Sequence, residues 1–321
     1  AFDRLLQLAG DAPNAPAVAL DRAGALVAAG QIEPAITAYK DVSDRYPKSP
    51  QAIDADLARV RLLAKSGKAE AASALLDTLL ADKDRFAALE STGVRRDALI
   101  AEQALLLADA GKFPESDAIF SALLKEFPES PHALEARFHL AESASASGNR
   151  DEVIRLLEPV MAAEPGKSEG EIADRLMPLV LYRLGRTQIE AEKWADAETT
   201  LGRLVESYPN SDKVRLARFL QAEAALHLNH GELAETLLAT LDAEPAPTDD
   251  EGKKFAAIVK SRHVQSLVAI KKWDEALKRA ETFKSELPAN DPMIAELDFA
   301  RGRSLLGLGR PDDARAAFQA V

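Results

Sequence analysis

The chain has 321 residues, of which 47% are hydrophobic, 29% are charged and none is cysteine, and its formal net charge is −12. This acidic balance argues against nucleic acid as a partner, because binding to phosphates depends on Lys and Arg, and the lack of cysteine excludes disulfides, thiol nucleophiles and cysteine-based metal sites. No apolar run reaches the roughly 20 residues that span a bilayer, so we expect no direct membrane insertion.

The first ten residues, AFDRLLQLAG, place apolar side chains at Phe2 and Leu5, the spacing of one helical face. We interpret residues 1–15 as the tail of a helix that belongs to an upstream repeat. At the other end, the letters AAFQAV stop inside a helix. Because a helical array needs capping repeats with a polar outer face, we expect the native chain to continue past one or both ends.

A short phrase recurs along the chain with a constant period. RYPKSPQAIDA begins at position 45, EFPESPHALEA at 126 and SYPNSDKVRLA at 207, so each copy lies 81 residues after the one before. Its first proline cannot extend the preceding helix. Ser49 and Ser130, each followed by proline, are predicted to be N-caps of the next helix, with Ser211 and Asp291 in the same role in later copies.

Eight helix–turn–helix units can be aligned around these phrases. Their turn positions are Gly30, Gly67, Gly111, Gly148, Glu192, Asn229, Lys271 and Gly309. Each first helix has a small residue at its middle, and these are Ala23, Val60, Ala104, Ala141, Gly185, Ala222, Val264 and Gly302. Each second helix has a small residue near its start and larger apolar residues four and seven positions later, which predicts two closely packed helices per unit.

This pattern resembles that of the tetratricopeptide repeat family over almost the whole chain. The resemblance implies an all-α fold, a right-handed superhelical solenoid of about eight copies arranged in two-repeat units. The turns alternate between spacings of 37 or 38 residues and of 42 or 44 residues, and each long spacing predicts a loop followed by extra turns on the next first helix. The array covers residues 16–321, with units near 16–49, 53–86, 97–130, 134–167, 178–211, 215–248, 257–290 and 295–321.

The resemblance also implies a binding groove lined by the first helices. The matching positions carry four aromatic residues, four charged residues one turn later and two nearby arginines, which are Phe138, Tyr182, Phe219 and Phe299, then Glu142, Arg186, Glu223 and Arg303, and finally Arg183 and Arg262. An aromatic row flanked by charge suits an extended or helical peptide. Packing of the aromatic rings between neighbouring helices is the alternative interpretation.

These positions predict a non-catalytic scaffold that binds a partner protein or peptide. Two other hypotheses stay open: assembly into a homo-oligomer through the open repeat ends, and a regulatory arm of a larger enzyme. The sequence lacks the common nucleotide-binding, serine-hydrolase and metalloprotease motifs, so we expect no catalytic residue, no cofactor and no metal.

Two histidines and two tryptophans lie near the turns. His227 and His230, with Glu223 one turn earlier, could ligate a metal, but a surface cluster at a repeat turn is the preferred interpretation. Trp194 and Trp273 stand two residues after their turns. We predict that these two rings have a structural role and cover the end of a first helix.

The junction phrases are similar in style to those of bacterial cell-envelope members of the family, such as the Tol–Pal coordinator and the outer-membrane assembly lipoprotein. This likeness leads us to expect a periplasmic or cell-envelope location within a larger assembly. The cytoplasm is the alternative, because a chain without cysteine suits either compartment.

Overall fold

The computed structural model describes residues 12–91, 93–162, 171–245 and 247–321. Within these ranges the chain forms helices and no strand. It divides into two compact units, of which the first ends at Ser147 and the second begins at Gly148, so the boundary falls inside the fourth predicted repeat. Most of the predicted upstream tail lies outside the described residues. None of the described helices combines the length and the apolar character that crossing a membrane requires.

The helices have the following bounds. The first unit contains α1 (Ala15–Ala28), α2 (Ile32–Arg45), α3 (Pro50–Lys65), α4 (Ala69–Ala81), α5 (Lys83–Ser91), α6 (Arg96–Asp109), α7 (Phe113–Glu126) and α8 (Ala133–Ala146). The second unit contains α9 (Arg150–Leu157), a 3-10 turn (Glu158–Ala162), α10 (Glu171–Glu190), α11 (Trp194–Ser207), α12 (Val214–His227), α13 (Gly231–Asp242), α14 (Asp250–Ala269), α15 (Trp273–Glu286), α16 (Met293–Gly307) and α17 (Pro311–Gln319).

Pairs of contacting helices stack in sequence order within each unit. In the second unit α10 pairs with α11, α12 with α13, α14 with α15 and α16 with α17, and the second helix of each pair contacts the first helix of the next. The first unit has the same arrangement in α1–α2, α3–α4 and α6–α7. The predicted all-α repeat architecture is therefore confirmed in both units.

The turn inside each pair depends on one residue with a left-handed backbone. All eight predicted turn positions have a positive φ, between 57° and 75°. Five of them are glycine, which adopts this conformation without steric strain, and the others are Glu192, Asn229 and Lys271. In the first turn, the amide of Gln31 donates to the carbonyl of Leu26 at 2.9 Å, as expected for a Schellman cap. The turn prediction is confirmed.

Small residues face large ones inside each pair, as the alignment predicts. The small positions of both helices are buried throughout. A Cβ added to Gly185 would lie 2.5 Å from Leu201 Cγ, and one added to Gly302 would lie 2.4 Å from the Phe318 ring. The larger apolar positions are also buried, except that Phe318 is partly buried and Val321 is exposed.

The predicted N-caps hold at one junction and fail at three. Ser49 caps α3 by accepting a hydrogen bond from the amide of Ala52 at 3.2 Å. Ser130 does not cap α8, which begins three residues later, because its hydroxyl donates to buried Asp97 at 2.6 Å and accepts from the amide of His132. Ser211 and Asp291 likewise accept a hydrogen bond from the amide two residues on and hold a turn that precedes the helix.

The long junctions differ from one another. As predicted, α10 and α14 carry extra turns and reach 20 residues each. The first long junction instead forms a separate helix, α5, whose Phe86 is buried in the core of the first unit. Asp82 stabilises its start by accepting the amides of Asp84 and Arg85 at 3.1 Å. Because Asp82 can cap a helix inside the junction, a separate helix forms there and α6 is not extended.

Candidate functional site

The first helices of the second unit form a continuous layer. Successive first helices contact each other, α10 with α12, α12 with α14 and α14 with α16, whereas the second helices make their main contacts with first helices. The first helices therefore pack more closely against one another than the second helices do. On each of α12, α14 and α16 one helical stripe carries the predicted groove positions. We call the surface that these three stripes form the inner face, and its residues are Leu216, Phe219, Glu223, Ile258, Arg262, Gln265, Glu296, Phe299, Arg303 and Leu306.

The inner face carries exposed apolar side chains. In the part of the chain that the structure describes, six large hydrophobic residues are exposed, and these are Phe113, Leu216, Ile258, Phe299, Leu306 and Val321. Four of the six lie on first helices of the second unit, with exposed fractions of 39% for Leu216, 41% for Ile258 and 52% for both Phe299 and Leu306. Exposed apolar residues gathered on one face typically mark an interaction site.

The ten predicted groove residues fall on two units. Phe138 and Glu142 lie on α8 of the first unit, and both are half-buried. The Phe138 ring meets the His139 ring edge-on, with the ring centres 6.4 Å apart. The other eight residues lie on α10, α12, α14 and α16 of the second unit.

On α10, Tyr182 and Arg183 are half-buried and Arg186 is exposed. The guanidinium of Arg186 donates to Glu190 one turn later at 3.0 Å. Arg150 of α9 approaches the same carboxylate at 3.5 Å. The charge of Arg186 is thus partly compensated at the surface, where such a pair contributes little to stability.

Arg262 links three successive first helices. Its Nε donates to Glu223 on α12 at 2.9 Å, and its Nη1 donates to Glu296 on α16 at 3.3 Å. The same Glu296 oxygen accepts hydrogen bonds from Ser261 at 3.0 Å and from Gln265 at 3.3 Å. Two predicted groove residues, Glu223 and Arg262, therefore form an ion pair with each other. Glu296, the third charged residue of this network, was not predicted from the sequence.

The predicted aromatic residues behave differently from one another. Phe219 is half-buried and packs edge-on against Phe255 of α14, with the ring centres 5.3 Å apart, so it fills the space between two repeats. Phe299 is half-exposed, and its ring lies 5.7 Å from that of Phe318. Phe219 therefore packs between neighbouring helices, as in the alternative interpretation of the sequence. Phe299 is instead displayed on the surface.

A cavity of about 320 Å³ opens on the inner face between α14 and α16. Its wall combines two of the predicted residues, Phe299 and Arg303, with four that the sequence analysis missed, Gln265, Val268, Glu296 and Ala300. Glu296 shares its place in the repeat with two of the exposed apolar residues, because Glu296, Leu216 and Ile258 all stand six positions before the small residue of their helix. Extending the alignment by one turn would have found them.

The histidines near the turns do not form a metal site. His227 stacks on the Trp194 ring with the ring centres 3.8 Å apart, His230 contacts Glu198 at 2.9 Å, and Glu223 is held by Arg262. Across the described residues, no group of three acidic, histidine or cysteine side chains could hold an ion. Trp194 covers the end of α12 through His227, and the Trp273 ring covers the end of α16 at Gly307, so each ring covers the end of the first helix of the next repeat.

Two adjoining cavities, of about 360 and 650 Å³, lie between α13, α14 and α15. The charged residues that they share are already paired. Asp242 contacts His263 at 2.9 Å and accepts from Arg279 at 2.6 Å, and Lys260 donates to Glu286 at 2.6 Å while lying over the Phe283 ring. The hydrogen bond from His263, together with nearby Arg279 and Lys260, lowers the pKa of Asp242 despite its burial.

Comparison with known proteins supports the repeat assignment. Two family models described as tetratricopeptide repeat match the chain, one over residues 18–49 and 179–211 and the other over residues 102–152 and 262–321. Together they cover more than half of the 321 residues. Repeats of this family are typically non-catalytic modules for protein–protein interaction.

A curated relative matches part of the chain. It is a cellulose synthase operon protein C from Pseudomonas fluorescens (strain SBW25), 27% identical over 217 residues. The match covers 67% of this chain and 15% of that protein. The chain therefore corresponds to a small part of that relative's length.

Solved structures of repeat proteins are also similar. A MamA protein has a TM-score of 0.44 at 17% identity, covering 59% of this chain and 90% of its own, and a putative kinesin light chain of Podospora anserina with TPR-like repeats has the same score and identity over 60% and 94%. A tetratricopeptide repeat protein from Parabacteroides merdae scores 0.42 at 14% identity over 84% and 92%. On the strength of the family models and of the eight observed turns, the chain belongs to the tetratricopeptide repeat family.

Proposed function

We propose that the chain is a scaffold that holds a partner protein against the inner face of its second unit, within an assembly of the bacterial cell envelope. Membership of the tetratricopeptide repeat family indicates a protein–protein interaction scaffold. The observation that carries the choice of surface is the display of Leu216, Ile258, Phe299 and Leu306 on first helices. Support for the envelope comes from the relative named for a cellulose synthase operon.

The physical argument concerns what these side chains gain from a partner. Covering a large aliphatic or aromatic side chain contributes roughly 1.5–3 kcal/mol relative to leaving it in water, and a few such residues usually dominate an interface. Four of them offset the loss of translational freedom on association only when they are covered together. A partner segment that runs across α12, α14 and α16 meets this condition.

A crosslinking pull-down from the native source tests the proposal. The double variant Leu216→Asn, Ile258→Asn removes two exposed apolar contacts without touching the core, and Phe113→Ala is the control because Phe113 is 58% exposed on a second helix of the first unit. We expect one protein to be recovered with the wild-type chain and with the control, and to be lost with the double variant.

Two outcomes would contradict the proposal. Recovery of the same partner with all three chains would place binding elsewhere. Recovery of mainly the chain itself would favour the alternative of self-assembly through repeat ends. Circular dichroism melting of each variant establishes that the fold is retained, since both substitutions are at exposed positions.

A further inference from the structure

We infer that the cavity between α14 and α16 is a subsite for one large apolar side chain of the partner, with a carboxylate of the same partner bound by Arg303. This inference rests on the proposed function and adds the chemistry of the segment that the inner face selects. The cavity volume of about 320 Å³ lies near the lower end of the roughly 300–1,000 Å³ of ligand sites. Its size therefore suits a side chain of a larger partner.

The apolar part of the cavity is formed by Phe299, Ala300 and Val268. On α16 the lining residues Glu296, Phe299, Ala300 and Arg303 are spaced three, four and seven residues from the first, so they form a single stripe along the helix. Phe299 keeps 52% of its surface exposed even though its ring contacts Phe318. A partner side chain placed between Phe299 and Val268 would cover that surface.

The charges at the two ends of the stripe are not equivalent. Glu296 already accepts hydrogen bonds from Ser261, Arg262 and Gln265, and it shares the Arg262 guanidinium with Glu223. Arg303 is exposed and forms no ion pair with any residue in the described ranges. The subsite therefore has one guanidinium without an ion-pair partner next to an apolar wall. A guanidinium binds a carboxylate through two parallel hydrogen bonds, with a geometry that other groups do not match.

The spacing along α16 defines the spacing in the partner. Phe299 and Arg303 are four residues apart, which is about 6 Å along a helix. Two side chains of a partner match this distance on one side when they are two residues apart in an extended segment, about 6.6 Å, or four residues apart in a helix. The expected motif is therefore Leu, Ile, Met or Phe with Asp or Glu two or four positions away.

A random dodecamer library displayed on phage and selected on the immobilised chain tests this motif. We expect apolar residues to be enriched together with an acidic residue at one of these two spacings, with acidic residues preferred over basic ones by at least about tenfold. Arg303→Glu should reverse the preference from acidic to basic residues, and Phe299→Ala should abolish the apolar enrichment.

Matched controls separate the subsite from general effects. Lys278→Glu makes the same charge reversal at an exposed position of α15, a second helix, and Phe113→Ala removes an exposed ring of the first unit. Both should leave the selected motif unchanged. A motif that is unaffected by Arg303→Glu, or a library without any enriched motif, would overturn the inference.

The result is distinguishable from failure of the proposed function. Selected peptides that depend on Leu216 and Ile258 and ignore Phe299 and Arg303 would overturn the subsite and leave the inner face as the partner site. Loss of partner recovery in the Leu216→Asn, Ile258→Asn pull-down, with no effect of Phe299→Ala in the same assay, would lead to the same conclusion. Partner recovery that ignores all of these substitutions would overturn both.

Discussion

Single glycines set how closely the paired helices approach. A Cβ on Gly185 would lie 2.5 Å from Leu201 Cγ, a distance too short for any ordinary contact. Gly24, also inside a first helix, is different, because the nearest atom to its added Cβ is the Tyr39 hydroxyl at 3.8 Å. The two glycines therefore separate the effect of close packing from that of helix propensity.

We expect Gly185→Ala to destabilise the protein by about 1–3 kcal/mol, because overpacking outweighs what alanine gains in a helix. The control Gly24→Ala should instead stabilise by roughly 0.5–1 kcal/mol, since it has the same propensity gain and free space. Urea denaturation followed by circular dichroism measures both free energies of unfolding. Equal stabilisation by both substitutions would contradict the close approach of α10 and α11.

A buried carboxylate gives the second unit an acid-sensitive contact. Asp298 is 1% exposed, and its two oxygens accept hydrogen bonds from Lys284 at 2.7 Å, while Arg301 donates to one of them at 2.6 Å. Burial acts to raise the pKa of Asp298, but these hydrogen bonds and charges outweigh it and lower the pKa below its ordinary value. The charged form is therefore the one that the fold stabilises.

The stability from Asp298 is present above the pKa of the unfolded chain and is lost as the pH falls through the lower folded pKa. We expect Asp298→Asn to cost about 3 kcal/mol at neutral pH, because it leaves two cations without their buried partner. As the pH falls through the folded pKa of Asp298, the variant and the wild type should converge. Urea denaturation across this pH range measures the difference.

Asp44→Asn is the matched control, since Asp44 pairs with Lys40 on the surface and is 57% exposed. An exposed pair of this kind contributes less than about 0.5 kcal/mol, so the control should follow the wild type at every pH. A difference for Asp298→Asn that does not change with pH would show that lost packing, and not the charge, is responsible.

At the scale of elements, the Arg262 bridge links α12, α14 and α16. Its three charged members are only partly exposed, with side-chain fractions of 29% for Arg262, 23% for Glu223 and 49% for Glu296. A network of partly buried charges is screened less than an isolated surface pair. The bridge is therefore expected to stabilise the packing of α12, α14 and α16 against each other, whereas the exposed pairs of α10 contribute little to stability.

We expect Arg262→Ala to destabilise the second unit by about 1–2 kcal/mol, and this loss should shrink as salt is added because the network is still partly open to solvent. Arg186→Ala, which removes an exposed pair with Glu190, should change stability by less than about 0.5 kcal/mol. Denaturant unfolding at low and high salt measures the free energy of unfolding of both variants. Equal effects of the two substitutions would count against the bridge.

The elements also show where sequence patterns stop being informative. The prediction that Ser130 caps α8 was wrong because a residue 33 positions earlier, Asp97, takes its hydroxyl. The hydrogen bonds from Arg95 and Ser130 lower the pKa of Asp97, although burial alone would raise it. Such a contact depends on which side chains the stacking brings together, and no local pattern reports it. The separate helix α5 was missed for the related reason that Phe86 finds a place in the core.

At the scale of the whole chain, the repeat period correctly predicted the turns and the paired helices, which depend on backbone geometry. Each turn needs one left-handed residue, so eight turns and the paired helices followed from the spacing, even where Glu192 or Lys271 replaces glycine. The candidate site was predicted only in part. Phe299 and Arg303 line the cavity, whereas Glu223 and Arg262 bind each other. Pairing between repeats depends on the reach of long side chains, which one sequence does not specify.

The two units differ in what their surfaces offer. Among the described residues, the exposed large apolar side chain of the first unit is Phe113, on a second helix, whereas the second unit displays four on its first helices. The groove residues Phe138 and Glu142 are half-buried in the first unit. The difference in exposed apolar side chains is what favours the second unit in the proposed function.

The tryptophan contacts have a consequence for how such a chain changes length in evolution. Trp194 lies on His227 and Trp273 lies on Gly307, at the same position of alternate repeats. Loss of residues 208–286 would join Ser207 to Leu287, keep a proline junction, and bring Trp194 to Gly307, a site that already accepts an indole ring. Loss of a single repeat would instead fuse the first half of a short junction to the second half of a long junction, because the two kinds of junction alternate along the chain. A change of two repeats therefore keeps both the proline junction and the contact of a tryptophan with the end of a first helix.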